Sequence, residues 1–401
     1  MPLLQIQTFW QDKLVPEQMN SPLAVIKKLL RIKDGTDPDK LRTAVDKVYQ
    51  HHPILLTRLV NLGASALPQP ADEKYVQRYD PGMYVPTDDI RLSEEELWNR
   101  VEKGKEPFDA DKGIFHYRAI FRTEKASYLY LAIHHALTDG TGIRTICDNI
   151  YRAYMGEDLP PDPYFAVLED EFGETADHVR RETEEYISGT FKGNLPDDGC
   201  SGMLDPDLPG AVVPLQNVYE SFPRKAPDEN IRHLTAIAMA MAKCNGSNRA
   251  VVNWVYSGRD DNLKSNSASG YAKSLPVYLV REDGDTPKML MQKVREQVSF
   301  TASHSSAFND SFFLKTPPAN TMLYLYQKDI FVLGEIGKLV EEVQLPFNWT
   351  VPMEILSLTL IDTADKEGLE RYFIYSPGYY SEEKARDFMK FLHEALEELD
   401  E

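Results

Sequence analysis

The stretch Ile133-His134-His135-Ala136-Leu137-Thr138-Asp139-Gly140 decides how the rest of the chain is read. It closes an alternating run over 128–133, which sets Leu129, Leu131 and Ile133 on one face of a strand. Neighbouring side chains of an extended chain point to opposite faces, so the two histidines have separate tasks. His134 is expected to face inward as scaffold. His135 is expected to face outward into a cleft as a general base, since an ordinary imidazole pKa of about 6.5 suits proton removal at neutral pH. Asp139 has two readings, a carboxylate in proton transfer or an ion pair that locks the loop. The lock is favoured, because the short spacing and the glycine that follows aim its side chain away from His135. Gly140 is expected to turn the chain sharply into a helix over 143–154. A bare His-His pair at a strand end is more often an ordinary core or surface feature; the complete pattern with Asp and Gly favours chemistry.

An apolar strand ending in His-His-x-x-x-Asp-Gly resembles the signature of the chloramphenicol-acetyltransferase-like superfamily, especially condensation domains of nonribosomal peptide synthetases. Weaker matches follow the same order along the chain. His51-His52-Pro53-Ile54-Leu55-Leu56-Thr57-Arg58 is similar to a stretch reading Arg-His-x-x-Leu-Arg, but His51 and Leu56 stand where arginines are usual; Arg58 matches a further common arginine. Gly258-Arg259 resembles a Gly-Arg pair after a buried strand. Gly270-Tyr271-Ala272-Lys273-Ser274-Leu275-Pro276 is similar to a glycine loop and Leu-Pro strand, with Lys273 replacing an asparagine. Of the His-Gln-Asp-x-Pro-Phe-type segment, only His304 and Phe308 survive.

The resemblance implies an α/β (α+β) fold of two chloramphenicol-acetyltransferase-like lobes, a V-shaped pseudo-dimer with a central tunnel. The lobes are expected at 1–160 and 215–401, joined by a linker and long helix over 161–214. It further implies acyl transfer from a pantetheine thioester to an amine, forming an amide bond. His135, Asp139 and Gly140 would be catalytic, the last through its backbone N–H as an oxyanion contact. His134, Arg259 and Arg58 would support them, with Arg259 the expected partner of Asp139 and Arg58 the other candidate. No tightly bound cofactor and no metal is expected. The acyl group would arrive on the phosphopantetheine of carrier domains or on CoA, for an amine or alcohol acceptor. Two alternatives stand beside this: a stand-alone acyl-CoA-dependent O- or N-acyltransferase, and a degenerate domain that only docks carrier proteins.

Composition bounds these expectations. The 401 residues are 42% hydrophobic and 10% aromatic, enough for one large core or two adjoining ones. No apolar run reaches the length of a membrane span, and the first residues lack a secretion signal, so a cytoplasmic monomer is expected. Cys147, Cys200 and Cys244 are few, odd in number and far apart, which indicates buried thiols rather than disulfides or a zinc site. A net charge of −19 argues against nucleic acid or anionic membrane as partner. An anionic pantetheine needs only a local positive mouth, for which Lys27, Lys28, Arg31 and Lys33, or Arg259 with Lys264, are candidates; each cluster reads more simply as a solvated face.

Pattern and punctuation predict the remaining elements. Strands are expected over 23–32, 114–122, 127–134, 250–256, 321–326, 354–361 and 371–375, with the second and third forming a hairpin. Helices are expected over 40–49 after Asp37-Pro38, from Ser93 with Glu96 as a capping box, and over 165–191, 228–244, 287–303 and 382–399. Residues 63–87 read as loop and edge structure, and 193–214 as a linker rich in Gly, Pro and Asp.

Overall fold

The computed structural model describes residues 4–5, 25–61, 75–103, 106–109, 112–172, 176–191, 199–210, 215–222, 229–259, 263–308, 322–328, 333–345, 358–364 and 368–400. Its strands in chain order are β1 (Leu4–Gln5), β2 (Val25–Ile32), β3 (Thr57–Asn61), β4 (Tyr75–Tyr79), β5 (Asp88–Arg91), β6 (His116–Arg122), β7 (Ser127–His134), β8 (Gln216–Phe222), β9 (Arg249–Tyr256), β10 (Lys273–Val280), β11 (Met322–Lys328), β12 (Val340–Val343), β13 (Thr359–Ala364) and β14 (Leu369–Tyr375). Its α-helices are α1 (Pro38–His51), α2 (Glu94–Lys103), α3 (Gly140–Met155), α4 (Tyr164–Phe172), α5 (Ala176–Thr190), α6 (Glu229–Cys244), α7 (Pro287–Ser303) and α8 (Glu382–Asp400).

The chain forms two compact units. The first comprises 1–173, 259–271 and 330–348; the second comprises 174–258, 272–329 and 349–401. Two segments that a contiguous division after residue 214 would give to the second lobe thus pack with the first unit. One is 259–271, which carries Arg259. The other carries β12, which extends the first unit's main sheet.

That sheet has the order β12-β2-β7-β6-β5, so β7 is flanked on both sides. It pairs antiparallel with β2 and with β6, the latter as the expected hairpin. Leu129, Leu131 and Ile133 pack with Val45, Val48, Ile143, Ile146 and Ile150 of α1 and α3. The alternate residues Tyr128, Tyr130 and Ala132 pack with Leu97 and Val101 of α2. Each fully buried aliphatic side chain contributes about 1.5–3 kcal/mol, so the strand carrying the motif is anchored on two faces.

Local signals set the helix starts. Asp37 Oδ1 accepts from the N–H groups of Asp39 at 2.9 Å and Lys40 at 3.2 Å, and Pro38 opens the first turn without a donor to satisfy. Exposed Asp37→Ala should therefore lower stability by about 1 kcal/mol, read as a shifted midpoint in denaturant unfolding. The Ser93 N–H donates to Glu96 Oε2 at 2.8 Å, and Ser93 Oγ accepts from the Glu96 N–H at 3.2 Å, completing the capping box.

The second unit has a six-stranded sheet, β10-β9-β11-β13-β14-β8. Leu234, Ile237 and Met241 of α6, Leu290 and Val294 of α7, and Phe388 and Leu392 of α8 pack with its core strands. An ion pair that sequence did not announce lies inside it. Fully buried Arg371 donates from Nε and Nη2 to both oxygens of Asp362, each at 2.7 Å, with His233 Nδ1 2.9 Å away. Burial alone would raise the Asp362 pKa; Arg371 and His233 hold it below the ordinary carboxylate value.

Some expectations need adjustment. The single long helix over 165–191 is described as two, α4 and α5, on either side of residues 173–175. The strand expected over 354–361 begins, among the described residues, at Thr359, and its first part lies outside them. Cys147 and Cys200 are buried free thiols, whereas Cys244 is half-buried; burial pushes all three up to about 12.

Candidate active site

At the end of β7 the two histidines part as alternation requires. His134 is fully buried, pairs across the sheet with Val25, and meets the ring of Phe115 edge-on at 5.8 Å. Its Nδ1 accepts the N–H of Ala136 at 3.0 Å, and the His134 carbonyl accepts the N–H of Leu137 at 2.9 Å. These two bonds make the turn that presents His135. His135 is half-buried and donates from Nδ1 to the carbonyl of Thr138 at 3.2 Å. In the neutral ring this tautomer leaves the lone pair on Nε2. Burial lowers the His135 pKa from 6.5 to about 4, opposed by the Asp139 charge and by the bond to Thr138. The imidazole is thus neutral at pH 7 by a wide margin.

Asp139 is 7% exposed and is saturated with donors. Oδ1 accepts from the N–H of Gly142 at 2.7 Å, capping α3, and from Arg259 Nη2 at 3.2 Å. Oδ2 accepts from the N–H of Tyr271 at 2.7 Å. Arg259 in turn donates to the carbonyls of Lys264 at 2.7 Å, Ser267 at 3.0 Å and Ser269 at 2.5 Å, with its guanidinium over the Tyr271 ring at 4.9 Å. One guanidinium folds the segment 264–271 around itself and fastens it to the motif.

Arg58 has a different place. It pairs with Asp80 rather than with Asp139. The loss of the usual arginines at His51 and Leu56 therefore leaves Asp139 compensated, because its cation comes from 120 residues further along.

Gly140 also differs from expectation. It is the first helical residue of α3 and is not among the glycines with positive φ in the described residues. The turn lies at 135–137, made by backbone and His134 bonds that Gly140 does not contribute to. The steric demand for glycine falls instead on Gly142, where a Cβ would sit 2.3 Å from Thr138 Oγ1 and 2.5 Å from the carbonyl of Ala268.

Sequence reasoning missed a brace behind these residues. Thr138 Oγ1 donates to the carbonyl of Ala268 at 2.7 Å, and the Ala268 N–H lies 3.3 Å from Asp162 Oδ2. The same carboxylate oxygen meets His52 Nδ1 at 2.5 Å, and His52 Nε2 accepts from Asn149 Nδ2 at 3.0 Å. His52 is the residue of the altered 51–58 stretch that the site uses this way; its match to the histidine of the Arg-His-x-x-Leu-Arg stretch was the available signal. The candidate positive mouth at Lys27 and Lys28 is occupied by carboxylates, Glu106 at 2.8 Å from Lys27 and Glu342 against Lys28. Among the described residues no helix is long and apolar enough to cross a membrane.

A sequence profile of the condensation domain family matches residues 1–201, half of the chain. The chain belongs to the condensation domain family. A relative by sequence is the enniatin synthase of Fusarium equiseti, 26% identical over 209 residues, which are 48% of this chain and 6% of that protein. This condensation domain thus matches only a small part of its much longer relative. Among solved structures, the starter condensation domain of rhizomide synthetase RzmA superposes with a TM-score of 0.71 at 16% identity, covering 98% of this chain and 96% of that one. The epimerization domain from the third module of tyrocidine synthetase B does so with a TM-score of 0.68 at 15% identity, covering 99% and 97%. The mixed α/β fold is the one these domains share. The reaction has to be argued from the site.

Proposed function

We propose that this condensation domain transfers an acyl or aminoacyl group from a pantetheine thioester to an amine, forming an amide bond in nonribosomal peptide synthesis. The observation that carries the reading is His135, a neutral imidazole fixed by Thr138 with its lone pair on Nε2, on a loop locked by Asp139 and Arg259. The amine nitrogen adds to the thioester carbonyl carbon, the C–S bond breaks, and one N–H proton leaves for the departing sulfur. A base with a pKa of about 4 is too weak to strip an alkylammonium, so His135 accepts a hydrogen bond from the neutral amine. It then relays the proton once the attacking nitrogen has become acidic in the tetrahedral adduct. Orientation of the amine supplies much of the rate. The N–H of Gly140 lies in the first turn of α3, where donors lack intrahelical acceptors, and Arg259 neutralises the adjacent carboxylate, so an oxyanion there is not repelled.

The substrate test offers the full chain an aminoacyl or acyl thioester, on a carrier protein and on CoA separately, with amines and alcohols. Amide from the carrier-borne donor is the expected product. Exclusive ester formation, or use of CoA alone, would replace the reading with that of a stand-alone acyltransferase.

The direction of the His135 shift sets the pH profile. Protonation inactivates the ring, and its folded pKa lies below 6.5, so with kcat/KM expressed per unprotonated amine the acid limb should fall near pH 4. A limb between 6 and 7 would show the ring to be solvated. The same depression makes the unfolded chain bind more protons between pH 6.5 and about 4, so this histidine costs stability as pH falls through that window.

A further inference from the structure

A run of hydrogen bonds wholly within the first unit ends on the ring of His135. Its last acceptor, the carbonyl that takes the His135 Nδ1 proton, belongs to fully buried Thr138. Three contacts from residues 268–270 fix how that carbonyl points. The Thr138 hydroxyl donates to the carbonyl of Ala268 at 2.7 Å. The N–H of Gly270 donates to the carbonyl of Leu137 at 3.1 Å. Gly270 also presses on the Thr138 peptide itself, since a Cβ on it would sit 3.0 Å from the Thr138 carbonyl carbon and 3.3 Å from the Asp139 nitrogen. In so close a packing the Thr138 carbonyl cannot swing without displacing 268–270.

Asp162 holds Ala268 from the other side. Its side chain is 1% exposed; Oδ2 accepts from the N–H of Ala268 at 3.3 Å, and Oδ1 accepts from the N–H of Tyr164 at 3.0 Å where α4 begins. Fully buried His52 donates from Nδ1 to the same Oδ2 at 2.5 Å, while Asn149 Nδ2 donates to its Nε2 at 3.0 Å and so leaves the His52 proton on Nδ1. Burial would raise the Asp162 pKa; His52, the Ala268 N–H and Ser267 hold it below the ordinary carboxylate value. An ionised carboxylate only accepts, so every donor around it has one direction to face. Ala268 is thus held at both ends, by Asp162 at its N–H and by Thr138 at its carbonyl.

We propose that Thr138 and Asp162 are positioning residues for the acyl transfer: by clamping Ala268 between them, they aim the Thr138 carbonyl that keeps the His135 proton on Nδ1. His52 completes the set by orienting Asp162. The proposal rests on the reading of His135 as the base of that reaction. Which nitrogen of an imidazole carries the proton is set by the hydrogen bond the other groups offer it. With the proton on Nε2, the ring would present the amine with a donor where the reaction needs an acceptor. At 3.2 Å the bond from His135 to Thr138 is at the long end for N–H···O, so a small rotation of the carbonyl removes the bias.

The tautomer is read from long-range proton-to-nitrogen NMR correlations of the histidine-labelled full chain, with the His135 ring assigned by its loss in His135→Ala. Amide formation gives kcat and KM, and a thermal melt reports folding. Thr138→Val removes the hydroxyl with almost no change of shape. It should move the His135 proton toward Nε2 and lower kcat by about tenfold or more with KM little changed, because reacting geometry is lost rather than a substrate contact. Thr138→Ser, which keeps the hydroxyl, should recover the wild-type tautomer and most of the rate. Asp162→Asn, alike in shape but uncharged, should shift the tautomer in the same direction, and it carries the test should Thr138→Val fail to fold. Four results would overturn the inference: wild-type His135 with its proton on Nε2, folded Thr138→Val with the wild-type tautomer and kcat, Thr138→Ser as impaired as Thr138→Val, or folded Asp162→Asn with the tautomer unmoved. Should the wild-type chain form no amide, the acyl-transfer reading falls, while the tautomer shifts still decide whether the clamp sets the ring.

Discussion

Replacing His135 by alanine is expected to lower amide formation by about 10²–10⁴-fold while the protein stays folded. The ring is half-buried in a turn whose defining bonds come from the His134 imidazole and carbonyl, so truncation removes the lone pair without undoing the turn. His134→Ala provides the contrast. It leaves the Ala136 N–H without its acceptor and opens a hole beside Phe115, so its defect should appear first as lost stability. Single-turnover product formation beside a thermal melt separates the two. Unchanged turnover in His135→Ala would remove the imidazole from the mechanism.

Removing the guanidinium of Arg259 should cost about 3–5 kcal/mol, because it takes away the cation paired with buried Asp139. The loss extends beyond the pair. The same side chain gathers the carbonyls of Lys264, Ser267 and Ser269, so the segment that offers the Tyr271 N–H to Asp139 loses its centre. Arg259→Met should lower the unfolding midpoint of the first unit sharply. The double variant Asp139→Asn with Arg259→Met should recover part of that loss, since neither partner is then a lone buried charge. An unchanged midpoint in Arg259→Met would show that the pair does not lock the loop. A well-folded but inactive Asp139→Asn would move Asp139 from the lock into the proton transfer.

Much of this was legible in the amino acids because it depends on near neighbours. Alternation over 128–133 predicts a strand with two different faces, and Asp37-Pro38 and Ser93 with Glu96 predict where helices start, since their bonds span three residues or fewer. Arg259 was reachable as the partner of Asp139 only through resemblance, and Arg58 stood beside it as an equal in charge. The choice belongs to the chain's return at 259–271 to the first unit, which no local pattern encodes. The role given to Gly140 failed for a related reason. Its neighbour Gly142 is the one pressed by Thr138 and by Ala268, and Ala268 is remote in sequence.

By itself, the order of residues determined the strand, the division of labour between two adjacent histidines and the presence of a carboxylate one turn away. Only the tertiary structure decided that the carboxylate is held by Arg259, that Arg58 pairs with Asp80 instead, and that the His135 pKa falls to about 4. Desolvation and ion pairing depend on what surrounds a group in space, and folding sets those surroundings from distant parts of the chain.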